Sequence, residues 1–150
     1  LEAPLASPGR RIPLLSDARV ANGRHNPSYV RALLSPLAPQ ARRDGAAAIY
    51  AQGRPGIYEG DLAYYSEEYD GARIAPGIAA AGRRVALLTG AYDYSAPPES
   101  TAALAAAIGG PNVLFRRLPG FGHFPMLEDP ERFRPHLLAA LDYVEEGREP

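Results

Sequence analysis

The chain contains no cysteine, no lysine and no apolar run approaching the roughly 18 residues that a membrane-crossing helix needs. Without cysteine there are no disulfides and no thiolate metal sites. Without lysine, arginine supplies all 16 basic residues, and beside abundant alanine and proline this reads as the codon bias of a GC-rich bacterial genome rather than a functional signal. The formal net charge of −1 gives no field for steering a polyanion and there is no basic stripe, so nucleic acid is not an expected partner. No membrane partner is expected either, and the expected compartment is the cytoplasm. Methionine is almost as scarce. The only one is Met126, and the chain opens on LEAPLASPGRRIP, which has no apolar core of signal-peptide length. The expectation is that these 150 residues are the back part of a longer protein.

What is present is ordinary globular material, 46% hydrophobic and long enough for one domain. Its character changes near Arg83, which divides the chain into residues 1–82 and 83–150. In the first part Asn26 can cap a helix with Pro27 at its first position, followed by Tyr29, Val30, Leu33, Leu34 and Leu37 at helical spacing until Pro36 interrupts the run. A second helix is expected from Pro39 through Ala46, Ala47, Ile49 and Tyr50, with Gly53 as a left-handed cap. Tyr58, Tyr64, Tyr65 and Tyr69 lie among acidic residues in a weakly helical stretch. Packing of these rings is favoured over lining a pocket.

After Arg83 the pattern sharpens. Val85, Ala86, Leu87 and Leu88 form a continuous apolar run closed by Gly90, as a buried parallel strand requires. Pro97-Pro98-Glu99 opens a helix that stops at Gly109-Gly110-Pro111. Val113 to Leu118 is a second strand, and a last helix runs from Asp129 to about Glu146 despite Pro135. Strand, helix, strand, helix is a crossover unit of a parallel sheet, and two strands alone leave sheet edges bare.

Two residues on this frame carry chemistry. Asp93 follows the first strand, and His123 lies thirty residues on in a loop, GFGHFPMLEDPE, with Gly120 and Gly122 expected to supply positive φ. Taken as residues, an aspartate after a strand is often only a turn or capping group. Glu128 is read equally as a backbone-bonding or a solvated carboxylate. His25 reads as a surface residue and His136 as a packing one, and the three histidines lack metal-ligand spacing.

Leu87-Leu88-Thr89-Gly90-Ala91-Tyr92-Asp93, followed by Gly122-His123-Phe124-Pro125 and Glu128-Asp129-Pro130-Glu131-Arg132-Phe133, resembles the C-terminal end of the α/β-hydrolase fold. The region before Arg83 is similar to the mostly helical cap of bacterial members. The resemblance implies an α/β fold class: a helical cap at 1–82, then the C-terminal strand-helix-strand-helix part of an α/β-hydrolase parallel sheet at 83–150, together an incomplete domain. It implies that Asp93 orients His123 and that His123 serves as general base and then general acid. It implies a small-molecule substrate, an ester first among several scissile groups, and no metal or organic cofactor. The third triad member is missing. No Gly-x-Ser-x-Gly turn occurs, and none of the seven serines has the flanking glycines of a nucleophile elbow. The chain alone is therefore expected to be inactive, with the missing N-terminal half or a second chain completing the sheet. The alternative is a non-catalytic binding or interaction domain that retains the scaffold.

Overall fold

A computed structural model describes residues 21–53 and 70–146. The tyrosine-rich stretch 54–69 lies outside the described residues. The fold is α/β, combining helices with, among the described residues, a two-stranded parallel sheet. The described part divides into two compact units, one holding residues 21–32, 44–53 and 70, the other 33–43 and 71–146.

In the first unit a π-helical turn, Ala21–His25, runs directly into helix α1, Asn26–Leu33, whose last residue belongs to the second unit. Asn26 is thus not the start of helical backbone. Pro27 lacks the N–H for an i→i−4 bond and crowds the carbonyl four residues back, and the widened turn before it absorbs that mismatch. Val30 is fully buried, as are Ala46 and Ala47 of helix α2, Gln40–Tyr50. Gly53 differs from expectation. It is not among the positive-φ glycines, and α2 instead ends in tight i→i−3 bonds, Gln52 N–H to Ile49 O (3.1 Å) and Gly53 N–H to Tyr50 O (3.3 Å).

The second unit begins as α1 ends. Ser35-Pro36-Leu37-Ala38 forms a turn in which Ala38 N–H reaches Ser35 O at 3.1 Å and Ser35 Oγ accepts Leu37 N–H at 3.1 Å. Leu34 and Leu37 therefore leave the helix, and Leu37 is exposed. Helix α3, Gly71–Ala80, was not foreseen, because Gly71, Pro76 and Gly77 are poor helix formers. Its Ala75 is buried, and it packs against helix α4, Pro98–Ile108.

Strands β1, Val85–Gly90, and β2, Val113–Leu118, pair in parallel register from Val85 opposite Val113 to Gly90 opposite Leu118. Helix α4 makes the crossover. It opens with Pro98 at its first position and closes at Gly109, whose φ of 65° lets its N–H return to Ala105 O. A short turn, α5 (Pro125–Glu128), precedes the last helix, α6 (Pro130–Glu145). Asp129 caps α6 by accepting Arg132 N–H at 3.1 Å, and the helix continues through Pro135. One core cluster of this unit lies where Leu118, Phe121 and Phe133 meet Leu88, the two phenyl rings edge to face at 6.3 Å.

Val85 to Leu88 are half-buried rather than fully buried, and among the described residues β1 pairs with β2 alone. Val85 N–H bonds Asn112 O, so in a parallel ladder the alternate residues Ala86 and Leu88 turn their peptide groups to the other edge.

Candidate active site

Asp93 and His123 meet just beyond the carboxyl ends of the two strands, with His123 Nδ1 2.8 Å from Asp93 Oδ2. The main chain brings them there. The ladder continues past the strands, with Ala91 N–H to Leu118 O at 2.9 Å and Tyr92 N–H to Phe121 O at 2.8 Å, so the two loops leave the sheet bonded to each other. Gly90 makes this approach possible. A Cβ there would fall on the Gly122 carbonyl oxygen and lie 2.7 Å from Gly122 C.

Asp93 closes a turn and also meets the imidazole. Its Oδ1 accepts Ser95 N–H and Ala96 N–H, each at 2.9 Å, which closes a turn, while Oδ2 remains for the imidazole. The turn is further pinned by Thr89 Oγ1, which donates to Ala96 O at 3.0 Å. The Asp93 side chain is 6% exposed and that of His123 31%. A carboxylate only accepts, so this contact assigns a proton to Nδ1; in the neutral imidazole the lone pair is then on Nε2.

The histidine loop is fixed by more than its glycines. Gly120 has the expected positive φ, 83°, but Gly122 does not. Gly122 is required for space, since a Cβ would lie 2.5 Å from Ser35 N and 2.6 Å from Leu33 O. His123 N–H donates to Leu33 O at 3.0 Å. Glu128 is 2% exposed, and its carboxylate accepts Gly122 N–H at 2.8 Å and Phe124 N–H at 3.2 Å. Phe121 is buried, under the Arg132 guanidinium at 4.9 Å, whereas Phe124 is only half-buried and stands edge-on to the His123 ring at 4.6 Å.

Sequence reasoning missed the segment Leu33 to Ser35 and the close approach at Gly90. A contact between segments ninety residues apart has no local signal, although a glycine ending an apolar strand hints at a nearby backbone. His25 stacks on Tyr29 at 6.1 Å in the other unit, and His136 is half-buried on α6. Among the described residues no three His, Asp or Glu side chains converge as metal ligands, and no helix is long and apolar enough to cross a membrane. No protein-family model matches the chain, and no curated protein matches it significantly.

Proposed function

We propose that the chain supplies the acid and base of a hydrolytic centre of the α/β-hydrolase type, acting on a small organic substrate with an ester as the favoured scissile group. The observation that carries this reading is the 2.8 Å contact between His123 Nδ1 and a buried aspartate that also accepts two backbone N–H groups. In this reading His123 Nε2 takes the proton of a nucleophile as that group bonds to the ester carbonyl carbon. The imidazolium, stabilised by Asp93, then gives the proton to the departing alkoxide. His123 next takes a proton from water, the new hydroxyl displaces the nucleophile, and the proton returns to it.

Nucleophile and oxyanion donors come from polypeptide beyond these residues, either the preceding half of the same fold or a separate chain. The edge of β1 toward which Ala86 and Leu88 point their peptide groups suits a further parallel strand, which would end beside the dyad. No metal or organic cofactor takes part in this scheme.

The test is turnover of a short-chain aryl ester by this chain alone and by the protein extended with its upstream sequence, each with and without His123→Ala. Turnover only by the extended protein, abolished in the variant, is expected. Turnover by the chain alone would place a nucleophile within it and overturn the division of labour. Silence in both forms would favour an interaction domain built on the same scaffold.

A further inference from the structure

We infer that Glu128 is the positioning residue of His123, a role that rests on the Asp93–His123 dyad of the proposed function. Glu128 is a carboxylate buried to 2% exposure, a placement that needs its charge answered by strong donors. The donors are the amides on either side of the histidine: Oε2 takes Gly122 N–H at 2.8 Å and Oε1 takes Phe124 N–H at 3.2 Å. The amide between them, that of His123, is held by Leu33 O at 3.0 Å. Three successive peptide N–H groups are thereby fixed, and with them the direction in which the His123 side chain leaves the backbone toward Asp93.

A simpler role accounts for half of this. Glu128 lies in the first turn of α5, and its bond to the amide of Phe124, the residue before that turn, is an ordinary helix-start contact. The bond to Gly122 is not explained that way, because Gly122 precedes the turn by three residues and lies across the histidine from it. Both carboxylate oxygens are needed. A glutamine keeps the shape but has one acceptor oxygen, and its amide group would face one of the two N–H donors.

The experiment is NMR of this chain, which reads the dyad and not turnover, so its result is independent of whether any ester is cleaved. In the unsubstituted protein the His123 Nδ1–H proton should be visible and slow to exchange, and Asp93→Asn should remove it. In Glu128→Gln, with the amide signals of β1, β2 and α6 unmoved, Nδ1–H exchange should accelerate by about tenfold or more, the scale of one hydrogen bond. Unchanged Nδ1–H exchange in a folded Glu128→Gln protein would reduce Glu128 to a helix-start residue and overturn the inference. If that variant does not fold, amide exchange in the unsubstituted protein decides. Gly122 and Phe124 N–H protected like the strand amides support the role, and a freely exchanging Gly122 N–H refutes it.

Discussion

Asp93 ties a turn with one oxygen and a histidine with the other, so a change that spares the first and spoils the second separates structure from chemistry. Asp93→Asn can keep its oxygen on the Ser95 and Ala96 amides while presenting NH2 to the imidazole, which reverses the tautomer. We expect stability within about 1 kcal/mol of the parent. Under the proposed function, kcat of the complete enzyme for an aryl ester should fall about 10⁴-fold, the scale of a wrongly protonated base. Glycines give a second contrast. Gly122→Ala forces a methyl into the Leu33–Ser35 backbone and should cost about 1–3 kcal/mol in urea unfolding. Gly45→Ala, inside α2 with nothing near the added carbon, should stabilise by about 0.5–1 kcal/mol.

At the scale of elements, α6 has one apolar side in the core and another in water. Phe133 packs on Phe121 and Leu118, whereas Leu137, Leu138 and Leu141 are 40–47% exposed. Phe133→Ala should therefore cost about 3–5 kcal/mol, and Leu138→Glu within about 0.5 kcal/mol, in the same denaturation experiment. Both strands, α4 and α6 were legible because a continuous apolar run, paired glycines and an Asp-Pro start are local signals. Helix α3 was not, since its apolar spacing is interrupted by Pro76 and Gly77 and its formation depends on packing with α4. The site divides the same way. Asp93 and His123 stood out by residue type and context, but Gly122 was assigned the wrong reason, because steric closeness to Ser35 is a tertiary fact and φ preference a local one. Glu128 was undecided for want of its burial.

At the scale of the whole molecule, the exposed ion pairs among the described residues contribute little to stability. The ion pairs of Arg31 with Asp44, Arg84 with Glu146 and Arg117 with Glu99 each have at least one side chain more than half exposed. Raising sodium chloride from about 0.05 to about 0.5 M should shift the unfolding free energy by less than about 1 kcal/mol, and a larger loss would reveal a network beyond these pairs. Much of the frame around the dyad is main chain: Ala91 to Leu118, Tyr92 to Phe121 and His123 to Leu33 are all peptide-to-peptide bonds. Side-chain identity at Ala91, Tyr92 and Leu33 does not enter those bonds. The arrangement can therefore tolerate drift in the residues around it, so that neighbouring side chains are free to be exchanged while the Asp93–His123 pair keeps its place.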